Sequence, residues 1–172
     1  PASTFAAEQR ALGIPLPAAM NERHARLEHA LDVLDEIWSP TRDEKFAKFE
    51  MPCKLPPRII GVNSTALARV AGRRTDGVNI RSSHPQRAEI LRIAKDAATA
   101  AGKTDFIVSV WDWFDEELLD ASSSTRKQLA GEGVNKIILL IINIILLLLQ
   151  GNSEYCPCTI LTSTSWIILA LS

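Results

Sequence analysis

Residues 58 to 81 read RIIGVNSTALARVAGRRTDGVNIR, and the residues with chemical potential lie near the start: Gly61, Val62, Asn63, Ser64 and Thr65. They stand where an apolar run gives way to a helical pattern. A helix N-terminus leaves backbone N–H groups without intrahelical partners and carries a partial positive charge, so it favours phosphate. Glycine lets a backbone approach a ligand closely, asparagine tolerates left-handed backbone, and the hydroxyls of Ser64 and Thr65 add donors. The same five residues can equally form an N-capped connector with no ligand. The spacing matches neither the dinucleotide G-x-G-x-x-G fingerprint nor the P-loop G-x-x-x-x-G-K-[ST].

Other reactive side chains are few. His24 and His29 lie five apart on one helical stretch, so they do not share a face as metal ligands at i, i+4 do, and are expected on the surface. His84 precedes Pro85 at a helix start. Asp112, Asp115, Glu116 and Glu117 form an acidic cluster after an apolar strand; it suits acid/base work but suits the N-terminal dipole of a following helix better. Trp111 and Trp113 are expected to pack. Cys53, Cys156 and Cys158 give no disulfide framework, and Cys156-Pro-Cys158 has no second pair to complete a zinc site. No Ser-His-Asp or Cys-His grouping emerges, so no catalytic acid, base or nucleophile is assigned.

The elements that must position these residues follow from periodicity. Pro15 and Pro17 make an extended entry. A helix follows over 21–38, with Asn21 as its N-cap and Leu27, Ala30, Leu31, Leu34, Ile37 and Trp38 on one face. Residues 41 to 57 read as a loop with Phe46 and Phe49 tucked in. RIIGV is a short buried strand, STALARVAGRR a helix capped by Ser64 with Ala66, Leu67, Val70 and Ala71 inward, and GVNI the next strand. A helix is expected over 85–101, with Pro85 at its first position, Leu91, Ala94, Ala98 and Ala101 inward and Gly102 at C′. DFIVSVW is a strand, 115–130 a weaker helix, and GVNKIILL opens a last strand. Strands alternating with helices predict parallel pairing and an α/β fold.

Charge bounds the partners. Nineteen Lys and Arg against 20 Asp and Glu leave no basic excess for nucleic acid. No basic start followed by an apolar block marks a secretory signal, and a cytoplasmic protein is the default. After Lys136 only Glu154 is charged. The run IILLIINIILLLL, 137–149, is shorter than the roughly 20 apolar residues a membrane helix needs, and a polar linker separates it from TILTSTSWIILALS, so no membrane span is expected. The run matches no motif; it reads as a buried strand continuing into an aberrant C-terminal stretch, with the apolar tail a candidate cover for a sheet edge.

Four segments, taken in order, resemble one family: ALGIPLPAAMNERHARLEHALDVLDEIW, PPRIIGVNSTALARVAGRRTDGVNI, GKTDFIVSVWDW and GEGVNKIIL. Together they look like the C-terminal half of the luciferase-like monooxygenases, closest to the branch that uses deazaflavin F420. The resemblance covers roughly residues 8 to 140. It implies a (β/α)8 TIM barrel, with about the last four β/α units in 1–140 and an atypical apolar tail over 141–172. It further implies FMN or coenzyme F420 as cofactor, a small organic substrate, and oxidoreductase or monooxygenase chemistry. The family's Gly-rich phosphate turn maps onto Ile60 to Ser64, where only Gly61 keeps the glycine. Asp76-Gly77 matches the family's Asp-Gly before the next strand. Asn79 and Arg81 follow at the same end of the barrel, and Arg81 is a candidate phosphate partner. A full barrel needs about 250 residues, so the resemblance implies a fragment or a half-barrel, with strand edges open to homo-oligomerisation. A non-catalytic half-barrel that binds a phosphorylated ligand, or only associates, is the alternative.

Overall fold

The structure, a computed structural model, describes residues 10–13, 17, 19–51, 54–142 and 164–170. Cys53, Cys156, Cys158, Pro15 and most of the apolar tail lie outside them. The chain divides into two compact units, Pro1–Pro56 and Pro57–Ser172.

In the first unit, helix α1 spans Met20–Ile37. Its N-cap is Ala19, with no side-chain cap bond, so Asn21 does not cap it. Leu31 is buried, whereas Ala30 is exposed. His24 is half-buried and its Nε2 has no hydrogen-bond partner, unlike the surface position expected; His29 is exposed. A 3-10 turn at Glu44–Phe46 starts from Asp43, whose carboxylate accepts from the Lys45 amide at 2.9 Å. Phe49 is 54% exposed rather than tucked in, and its ring meets Phe46 with centroids 6.1 Å apart.

The second unit is an α/β sheet in the order β1-β2-β3-β4-β5. Strands β1 (Ile59–Gly61), β2 (Gly77–Arg81), β3 (Ile107–Trp113) and β4 (Lys136–Ile142) are parallel neighbours in chain order. Between them run α2 (Thr65–Arg74), α3 (Arg87–Ala100), α4 (Glu116–Leu119) and α5 (Ser124–Gly131). Strand β5 (Thr164–Ala170) pairs antiparallel with β4 over seven residues, so the second apolar piece does cover that edge.

Alternation sorts the strand residues onto two faces. One face carries Val78 and Ile80, Val108 and Val110, Ile137 and Leu139, all nearly or fully buried. These join residues from α2, α3, α4 and α5, including Ala68, Leu91, Leu118 and Leu129, in one core cluster. Fully burying a Leu or Ile contributes roughly 1.5–3 kcal/mol, so this face carries most of the packing energy. Ala66 and Ala101, expected inward, are exposed; the stripe that packs is one residue over, at Leu67, Ala68 and Ala71. The opposite face holds Gly61, Asn79, Arg81, Ser109, Trp111, Trp113, Lys136 and Ile138 in register. Among the described residues no helix of this unit packs on it, and Trp113 on it is 46% exposed.

Helices α2 and α3 cross closely because of Gly72. A Cβ there would stand 2.4 Å from the Ala94 carbonyl oxygen and 2.6 Å from the Ala97 Cβ. Asp76 joins the ends of β1 and β2. Its carboxylate accepts from the Arg58 amide at 2.8 Å, and its own amide donates to the Arg58 carbonyl at 2.8 Å. Gly77 has no room for a side chain, since a Cβ would meet Ile107 at 2.7 Å. The Asp-Gly pair is thus a strand-joining turn.

Candidate functional site

The turn after β1 sits at the carboxyl edge of the parallel strands, where ligands collect in open α/β sheets. Ser64 caps α2 as expected: its side chain accepts from the Leu67 amide at 3.4 Å. Val62 is buried, 6% exposed, and belongs to the core; its amide donates to the Asn79 carbonyl at 2.8 Å. Gly61 pairs in register with Asn79. The backbone therefore brings Gly61 and Val62 beside Asn79. Two details differ from the sequence expectation. Among the described residues only Gly13, Gly102 and Gly133 have positive φ, so Asn63 does not use left-handed backbone. A Cβ on Gly61 would meet nothing within 4 Å, so the fold itself does not require glycine there. The donors at this turn are the early backbone amides of α2 and the hydroxyls of Ser64 and Thr65, since accepting the Leu67 amide leaves the Ser64 proton available.

Asn79 and Arg81 project on the helix-free face. The Ser109 hydroxyl lies 3.0 Å from Asn79 Oδ1 and 2.9 Å from the Val78 carbonyl oxygen, and shares its proton between them. The Arg81 guanidinium stacks 5.5 Å from the Trp111 ring centroid. The seven expected site residues thus divide in two: Val62 to Thr65 at the head of a helix, and Gly61, Asn79 and Arg81 on the helix-free face.

The loop after β2 is held by a charged clamp. Arg87 on α3 donates through Nε and Nη2 to the two carboxylate oxygens of Glu132, at 2.7 Å each. Its Nη1 donates to the Ser82 carbonyl, and the Ser82 hydroxyl donates to Asp112. Hydrogen bonding to Arg87 holds the Glu132 carboxyl below its ordinary value, and the same contact raises Arg87. His84 works locally, with Nδ1 accepting from the Gln86 amide at 3.2 Å.

The acidic cluster lines a cleft of about 570 Å³ with Ser82, Trp113, Phe114 and Thr125. Three of its four carboxylates are already engaged. Asp112 takes the Ser82 hydroxyl, Asp115 caps α4 through the Glu117 amide at 3.0 Å, and Glu117 takes the Thr125 hydroxyl at 2.7 Å. A second groove, about 610 Å³, runs between α2 and α3. There Arg92 is paired with Glu89 and Asp96 at 2.7 to 2.9 Å. Among the described residues no group of three or more His, Cys, Asp or Glu is placed to hold a metal ion, and no helix is long and apolar enough to cross a membrane.

Sequence reasoning passed over Ser109 and Lys136, which register places beside Asn79 on the helix-free face. The signal was the odd-numbered position of each polar residue in its strand, and it can be used only once the pairing of β2, β3 and β4 is known. No protein-family model matches the chain, and no curated protein matches it significantly.

Proposed function

We propose that residues 57 to 142 are the late β/α units of a (β/α)8 barrel of the luciferase-like type, in a cytoplasmic flavin- or F420-dependent oxidoreductase. In this reading the carboxyl edge of β1 and β2 contributes the phosphate end of the cofactor site. One observation carries it: four parallel strands paired in chain order, with every intervening helix on one face. Crossovers of the usual hand between successive neighbours put all helices on the same side. A barrel is wound this way, whereas a doubly wound sheet reverses its strand order and places helices on both faces. The helix-free face then corresponds to a barrel interior.

The residues fit the phosphate. The α2 amides, Ser64 and Thr65 supply donors, with Asn63 shaping the turn; Gly61 leaves open space above the strand end, Val62 anchors the turn in the core, and Asn79 stands alongside with Arg81 two residues on. When bound, FMN or F420 would supply the redox chemistry. The protein's residues here would bind and orient the phosphate, leaving the reaction to other groups. The test compares FMN with riboflavin, which lacks the phosphate, by fluorescence titration of the purified chain. FMN is expected to bind more tightly, and Thr65→Ala together with Arg81→Gln to remove that difference. Equal affinity for the two flavins, with no binding of F420, overturns the reading.

A second reading has its own observation. The helix-free face leaves Ile59 at 37% and Trp113 at 46% exposure. A half-barrel of this kind serves as an association module without catalysis. Gel filtration separates the two, since a stable monomer that binds FMN excludes association as the sole role.

A further inference from the structure

We infer that the helix-free face of the sheet carries a binding site for a small planar anion, built from Arg81, Asn79 and Lys136 around Trp111. This site shares Asn79 and Arg81 with the proposed phosphate end but adds Lys136 and Trp111, and it needs neither the α2 N-terminus nor a bound flavin.

Parallel register sets Asn79, Ser109 and Lys136 side by side across β2, β3 and β4, and sets Arg81 beside Trp111 one step further along. Neighbouring strands lie about 4.8 Å apart and alternate residues about 6.6 Å apart, so Arg81, Asn79 and Lys136 frame a patch of small-molecule size. The strand residues of β1 to β4 on this face include two cations, Arg81 and Lys136, and no carboxylate. Among the described residues neither cation makes an ion pair. That excess decides the sign of the ligand. Ser109 is fully buried, and its hydroxyl holds Asn79 Oδ1 at 3.0 Å, which leaves the amide nitrogen as the donor. The indole of Trp111 beneath the guanidinium, 5.5 Å away, adds a flat apolar surface. Guanidinium pairs with carboxylate or phosphate in one plane, and that plane lies on an aromatic face. The ligand class is therefore an aromatic carboxylate or an aryl phosphate.

Isothermal titration of the full chain with benzoate and with phenyl phosphate, against neutral benzamide, tests the assignment. The anions are expected to bind about tenfold more tightly than benzamide, as charge-assisted pairing predicts. Lys136→Met keeps the aliphatic stem and Arg81→Gln keeps a donor; each should reduce anion affinity about threefold to tenfold and leave benzamide unchanged. Glu116→Gln, in the acidic cleft, should change nothing. Melting temperatures of the variants confirm folding before each titration. If benzamide binds as well as benzoate, if neither binds, or if a folded Lys136→Met chain binds benzoate like the parent, the inference is wrong. Occupation of this face by a second copy of the chain would appear as a dimer that excludes benzoate, and also overturns it. Preference between benzoate and phenyl phosphate separates a carboxylate ligand from a phosphate one.

Discussion

Replacing Glu132 with glutamine should destabilise the second unit strongly at neutral pH and weakly at acid pH. The pair with Arg87 is bidentate at 2.7 Å, and the two side chains are 15% and 13% exposed. Removing one partner of a buried ion pair costs about 3–5 kcal/mol, because the other charge is left without compensation. Here the remaining exposure lets water reach Arg87, and glutamine retains one acceptor, so about 2–3 kcal/mol is expected. At roughly 4–8 °C per kcal/mol for a unit of this size, the melting temperature should fall by about 10 °C or more. The sign with pH follows from Glu132, whose folded pKa is depressed by the Arg87 hydrogen bond. A depressed carboxyl contributes stability that is present above its unfolded value, near 4.3, and is lost as pH falls through the folded value. Arg87 stays charged throughout. The gap between the parent and Glu132→Gln, measured by urea unfolding, should therefore be wide at pH 7 and close towards pH 3. A gap under about 0.5 kcal/mol at pH 7, the level of an ordinary surface change, or one that does not narrow with acid, would refute the reasoning.

Two glycines should respond differently to alanine. Gly72→Ala gains about 1 kcal/mol of helix propensity but puts a methyl 2.4 Å from the Ala94 carbonyl oxygen, and overpacking of that kind costs about 1–3 kcal/mol or more; denaturant titration should show a net loss. Gly61→Ala meets nothing within 4 Å, so its stability should stay within about 0.5 kcal/mol of the parent, while FMN titration should show weaker binding if the ligand's phosphate approaches that strand end closely.

The sequence carried the parallel strands because each is a short apolar run, and it carried the Ser64 cap because a hydroxyl preceding a helical stripe has one local use. It misplaced the start of α3. Pro85 suits a first helical position, yet the His84 amide bonds to the Arg81 carbonyl and the Arg87 amide to the His84 carbonyl, closing a turn ahead of Arg87. The helix expected over 115–130 splits because Asp120 takes the Ser122 amide at 2.8 Å and its hydroxyl at 2.7 Å. The second miss is a local competition between side chain and backbone for the same donors. The divided site has a different cause. Whether Asn79 and Lys136 share a face depends on register between strands nearly sixty residues apart, and no local pattern encodes it.

Ser109 tests whether the polar row on the helix-free face serves binding or only the fold. It stands between Val108 and Val110, is fully buried, and bonds to Asn79 Oδ1 and the Val78 carbonyl. Alanine keeps the Cβ and removes only the hydroxyl, so it adds no volume to the buried site. In Ser109→Ala the Val78 carbonyl loses only an additional partner. Asn79 is half-buried, so water can take the place of the lost hydroxyl, and a net loss of at most about 1 kcal/mol is expected. The asparagine amide, however, is then free to rotate, and the donor it offers beside Arg81 is no longer fixed. If the row exists for packing, urea unfolding registers the change and benzoate affinity does not. If it exists to hold Asn79 towards a ligand, stability stays close to the parent while benzoate affinity falls several-fold, by analogy with the 10–100-fold effect of outer-shell partners at metal sites. A variant that is destabilised yet binds benzoate as the parent does assigns Ser109 to the fold alone.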